Sequence, residues 1–162
     1  MDSAQLTRVL QADAYVKPHF VGVCAHDQLQ THITRAYNNP HRRKAAIIFN
    51  LDPRHLPGSH WVAVHLNFTT ETPEYFDSMG LPPDPACRQL LQDLCPRQPL
   101  RFNNIKLQDN TMVCGQFCVV FLKYRCRGYS FDECLYRLDF KDNDRAVHDL
   151  IKTWIPKLPY KL

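Results

Sequence analysis

The most reactive pattern in this sequence is a cysteine set where a polar loop turns into an apolar run. Gln108-Asp109-Asn110-Thr111-Met112-Val113 leads directly into Cys114-Gly115-Gln116-Phe117-Cys118, and Val119, Val120, Phe121 and Leu122 follow. That run predicts a helix over 114–127, hydrophobic all round in its first half and so buried in the middle of a domain. Cys114 then sits at the helix N-terminus, where unpaired backbone N–H groups and the positive end of the helix dipole favour thiolate over thiol. The same N–H groups can hold a developing oxyanion. Gly115 leaves room beside the sulfur for a substrate backbone. Gln108, upstream in the same loop, can aim its amide at that point as a second oxyanion donor.

A thiolate nucleophile needs a base. His60 follows the turn Pro57-Gly58-Ser59 and precedes Trp61 at the start of a predicted strand. Its imidazole in turn needs an acceptor to fix the tautomer and support the charged form, and Asp77 closes the next predicted strand. If the two strands pair as an antiparallel hairpin, His60 and Asp77 meet at one edge of the sheet and the connection 69–73 lies at the other. Taken singly, each residue has an ordinary structural role: a buried thiol, a surface histidine, a turn-forming aspartate, a solvated glutamine. Their joint occurrence points to nucleophilic catalysis by Cys114, His60 and Asp77, with Gln108 as oxyanion donor. Cys118, one turn further in, lacks free N–H groups beside it. Zinc fits poorly, because Cys114 and Cys118 lie on a helix, His60 and His65 point to opposite faces of a strand, and no CxxC pair is present.

The elements that must position these groups are legible in outline. Helices are predicted over 3–10, 27–37, from Asp84-Pro85 through Leu94, after the capping box Ser130-Phe131-Asp132-Glu133, and over 142–155, closed by Pro156. Strands are predicted over 45–51, 61–68, 74–77 and 100–107, with a short apolar piece at 19–23. The order reads as an α+β fold, a mixed sheet packed on helices around a central buried helix that starts at the nucleophile. The length of 162 residues fits a single domain, 1–162.

Composition excludes several classes. With 44% hydrophobic and 22% charged residues, the chain has material for a real core. No stretch approaches the ~18 uninterrupted apolar residues of a membrane span. The first residues lack a basic segment followed by an apolar run, so the expectation is a cytosolic or nuclear protein, not a secreted one. The seven cysteines are then reduced thiols rather than a disulfide framework. A net charge of +4, densest at His41-Arg42-Arg43-Lys44, permits contact with nucleic acid without requiring it.

His60-Trp61, then Tyr75-Phe76-Asp77-Ser78-Met79-Gly80, then Gln108 and Cys114-Gly115-Gln116-Phe117-Cys118, in that order, resemble the adenovirus protease (adenain) group and its relatives in polinton-type viruses and transposons. The same order is shared with the SUMO and ubiquitin-like-protein proteases and permutes the papain arrangement. Phe20-Val21-Gly22-Val23 followed by Asp27 is similar to the adenain start. The resemblance covers roughly residues 15 to 125. It implies a papain-like (permuted) thiol protease with Cys114 as nucleophile, His60 as base, Asp77 as the acidic third member, Gln108 in the oxyanion hole and Trp61 shielding the site. It also implies protein or peptide substrates cut at glycine-containing sites, in viral precursors, within a host nucleus or virion. No cofactor is needed for the chemistry, no metal is implied, and activation by DNA and by a viral peptide, disulfide-linked through Cys95 or Cys87, is the further expectation. The alternative is a SUMO or ubiquitin-like isopeptidase. Those enzymes commonly carry an aspartate just before the nucleophile, where this chain has Val113, which favours the adenain branch. The part after about Gly128 matches no motif of the family.

Overall fold

The computed structural model describes residues 1–139 and 142–154. Among them, five strands form one mixed sheet in the order β1-β2-β3-β4-β5: β1 (Phe20–Ala25), β2 (Lys44–Asn50), β3 (Trp61–Asn67), β4 (Thr72–Phe76) and β5 (Arg101–Phe102). The three central strands run antiparallel, while β1 joins β2 and β5 joins β4 in parallel. This is the α+β arrangement that the order of elements predicts.

Alternation along the central strands separates two cores. Ala46 and Ile48 of β2, Ala63 of β3 and Phe76 of β4 face one side, where α1 (Ser3–Ala12), α4 (Cys114–Cys126), α5 (Phe131–Leu138) and α6 (Asn143–Trp154) pack. Ile47, Phe49, Val62, Val64 and Tyr75 face the other, against α2 (Leu29–Tyr37) and α3 (Pro85–Leu94). The two alanines on the first side leave room for α4 to lie close on the sheet. Residues Gly115 to Lys123 are buried without a break, and Phe121 stacks on Phe76 with ring centroids 4.5 Å apart. Truncating such a phenylalanine to alanine costs about 3–5 kcal/mol.

Buried ion pairs fix the far end of α4. Arg125 donates from Nη2 to Glu74 at 2.8 Å, and the same carboxylate meets His65 Nδ1 at 3.0 Å. Lys123 and Arg127 both reach Asp13, at 3.1 and 2.8 Å. With that end held to β4 and to the segment after α1, the helix N-terminus is delivered to the edge of the sheet from which β3 starts.

The boundaries differ from the sequence expectation in instructive places. The segment expected as a strand over 100–107 pairs with β4 only at Arg101 and Phe102. Beyond that point Asn103 turns its side chain inward, accepting from the Asp77 N–H at 3.0 Å and donating back to the Asp77 carbonyl. A side-chain amide thus replaces the ladder, and the chain leaves the sheet. The helix expected from 27 begins as a 3₁₀ turn, His26–Gln28, before α2. The β3–β4 connection is tighter than expected, because Asn67 pairs with Thr72. The expected end of the last helix at Ile155 and Pro156 lies outside the described residues. No helix among the described residues is long and apolar enough to cross a membrane.

Candidate active site

His60 lies one residue before β3. Its carbonyl accepts from Leu51 N–H at 3.0 Å, which extends the β2–β3 ladder past Asn50 and Trp61 and holds the backbone in place. Its ring Nε2 lies 2.6 Å from Asp77 Oδ1. Asp77 follows β4 and is itself fully buried. Its Oδ1 also accepts from Met79 N–H at 2.8 Å, and its carbonyl accepts from Gly80 N–H at 2.8 Å. Gly80 has a φ of +73°, and a Cβ there would come within 2.7 Å of the Ile105 backbone. The turn after Asp77 therefore requires glycine at that point. With Nε2 committed to Asp77, Nδ1 is the nitrogen available to the sulfur.

Cys114 is the first residue of α4, and no side chain among the described residues caps that terminus. The Trp61 N–H points at its Sγ from 3.5 Å. Burial alone would raise this thiol, but the His60 ring, the Trp61 N–H and the Gly115 N–H outweigh it and hold the pKa below the ordinary value of 9.0. The partner moves to match. Burial would lower His60, yet its hydrogen bonds to Asp77 and Cys114 and the two negative charges push it up to about 9. Both shifts favour a thiolate–imidazolium pair. The other six thiols go the opposite way: burial pushes Cys24, Cys87 and Cys134 up to about 12, Cys95 and Cys126 to about 11, and Cys118 well above 9.0.

Gln108 is 7% exposed and is clamped from below by Ser78. The Ser78 carbonyl accepts from Leu107 and Gln108 N–H at 2.8 and 2.9 Å, and the Ser78 hydroxyl donates to Gln108 Oε1 at 2.6 Å. The other contact of the amide settles which end is nitrogen, because a carbonyl can only accept. Nε2 then donates to the Thr111 carbonyl, and its second N–H has no acceptor among the described residues. The loop between Gln108 and Cys114 thus carries a fixed amide donor.

One expectation changes. Gly115 does not leave open space for substrate: a Cβ there would lie 3.2 Å from Leu6, 3.3 Å from the Trp61 ring and 3.4 Å from Met1. Its missing side chain lets the indole lie down on α4, where Nε1 donates to the Met1 carbonyl at 3.0 Å. The Cys95 and Cys87 thiols, expected to take the activating peptide's disulfide, are 0% and 4% exposed and lie in the core that α3 covers. Ser78, Asn103 and Thr111 also shape the site, and the sequence pattern assigns them no role. Ser78 stands next to Asp77 in the sequence, and Asn103 stands in none of the motifs.

His60, Trp61 and Cys114 line a cleft of about 740 Å³, walled by residues 50–59 on one side and by the start of α1 on the other.

Comparison with solved structures gives the fold a relationship. The chain superposes on the ASFV pS273R protease with a TM-score of 0.64 and 18% identity, over 92% of its own length. It superposes on the SUMO protease Ulp1 with a TM-score of 0.55 and 12% identity over 96% of this chain and 78% of that one. ChlaDub1 from Chlamydia trachomatis gives 0.53 and 16% identity over 84% and 68%. This is the fold of the SUMO-protease-type, papain-like cysteine proteases. The resemblance to adenain narrows to that broader fold. The chain spans 64% of the length of the ASFV protease. No family model and no curated protein sequence matches the chain.

Proposed function

We propose that this chain is a cysteine endopeptidase that cuts protein precursors at glycine-containing sites, as the adenain resemblance implies. One observation carries the reading: of seven thiols, the one beside a carboxylate-paired histidine at a helix N-terminus is the one held below its ordinary pKa. Cys114 Sγ attacks the peptide carbonyl carbon, and the oxyanion is held by the Cys114 N–H and the Gln108 amide. His60, oriented by Asp77, gives its proton to the leaving amine. Water then attacks the thioester, passes a proton to His60, and the acyl group leaves as a carboxylic acid. Trp61, lying over Gly115, keeps solvent from one side of the pair.

The test is cleavage of glycine-rich precursor peptides with and without added DNA or a cysteine-containing activator peptide. Cys114→Ala should abolish turnover in every condition. Retained turnover in that variant would refute the assignment.

The likeness to Ulp1, over 78% of that chain, favours a second reading, in which the substrate is a ubiquitin-like protein with a C-terminal glycine. A ubiquitin-like precursor cleaved faster than any unfolded peptide would select it.

A further inference from the structure

The part of the chain after Gly128 carries no recognisable motif, yet its last described helix reaches into the site. Asp144 stands in the first turn of α6 and is 3% exposed. Its Oδ1 accepts from Asp109 N–H at 2.7 Å. Its Oδ2 accepts from Thr111 N–H at 3.0 Å and from the Thr111 hydroxyl at 2.6 Å. The neighbouring Asn143 donates to the Leu107 carbonyl at 2.7 Å. One carboxylate thus takes three donors from the loop that joins Gln108 to Cys114. The Thr111 carbonyl, fixed by those bonds, is the acceptor for Gln108 Nε2. Ser78 holds the oxygen end of the same amide, so the donor is pinned from the sheet on one side and from α6 on the other.

We infer that Asp144 is the positioning residue of the oxyanion hole, acting through Thr111 to aim the Gln108 amide. The inference rests on the thiol-protease reading of Cys114. A carboxylate suits the task, because two main-chain N–H groups and a hydroxyl converge on it and an ionised acid accepts all three. Loss of those bonds takes the acceptor from two part-buried N–H groups and frees the loop. The thiolate–imidazolium pair is built elsewhere, by His60, Asp77 and Trp61. The prediction is therefore selective: oxyanion-dependent chemistry suffers and simple alkylation does not.

Two reagents separate the effects in the full chain. Iodoacetamide alkylates Cys114 with displacement of iodide and no oxyanion. p-Nitrophenyl acetate acylates the same sulfur through a tetrahedral oxyanion, forming the thioester and releasing p-nitrophenolate. In Asp144→Ala the acylation rate should fall roughly 10- to 100-fold, while alkylation stays within about twofold, as expected if the ion pair is untouched. In the Gln108→Ala background the same change should add almost nothing, since both act through one amide. Thr111→Val, which removes a single bond to the carboxylate, should show a smaller loss of the same selective kind. It carries the test if Asp144→Ala fails to fold.

Equal loss of both rates in the folded variants, or a loss that multiplies with Gln108→Ala, would overturn the positioning role alone. Wild-type protein that shows no selective reaction at Cys114 would overturn the protease reading and this inference with it.

Discussion

Cys114 and Cys118 lie one turn apart on the same helix, and the backbone of one residue, Trp61, touches both. Trp61 gives its N–H to the Cys114 sulfur, while its carbonyl accepts from the Cys118 thiol at 3.4 Å. Burial raises the pKa of each. Only at Cys114 do a histidine and unpaired helix N–H groups reverse the result; at Cys118 the nearby negative charges of Cys114 and Asp77 push it further up. Position within the helix, and whether the sulfur meets an N–H or a carbonyl of Trp61, therefore separate a nucleophile from a core thiol. The lesson is that the chemistry belongs to the donors around the sulfur.

Changes around the pair should break this contrast to different extents. Gln108→Ala should cost the largest factor, about 10²- to 10³-fold in peptide turnover, while Cys114 alkylation persists. Unchanged turnover would remove Gln108 from the mechanism. His60→Ala should turn Cys114 into something closer to Cys118. At pH 6 an ordinary thiol of pKa ~8.5 is only roughly 0.3% ionised, so alkylation at Cys114 should fall on the order of 10²-fold, measured by mass spectrometry of the labelled peptide.

Asp77→Asn, which leaves the imidazole in place, should cost less than His60→Ala and give a diagnostic pH signature. His60 is raised, so it keeps its proton up to about pH 9 and loses it above. The ion pair therefore persists from the lowered Cys114 pKa up to that limb. Without the Asp77 carboxylate the upper limb should move to lower pH; a fixed limb would mean that Asp77 does not support the charged ring. Cys118→Ala should change the least. Alkylation of Cys114 should be unaltered, and the lost buried sulfur should cost about 1–2 kcal/mol of stability by denaturant unfolding.

What could be read in the sequence follows from how local its cause is. The central helix shows itself as an apolar run entered from a polar loop, and the meeting of His60 with Asp77 follows from the pairing of two adjacent strands. The anchors of Gln108 are another matter. Ser78 and Asp144 come from elements far away in the chain, and no local pattern marks a serine or an aspartate as the holder of a distant amide. The packing at Gly115 is non-local in the same way, since the indole that fills its place comes from β3. The early end of β5 depends on Asn103 finding the Asp77 backbone, a contact between two turns. Spacing reveals what neighbours along the chain do together, and side-chain clamps between distant loops leave no such trace.

The most direct test of the account is to label the wild-type protein with an iodoacetamide probe at pH 6 and locate the modified cysteines by mass spectrometry. The account predicts rapid modification of Cys114 alone, lost in His60→Ala, with the six other thiols slow. Uniform slow labelling of all seven, or preferential labelling at Cys118, would contradict it.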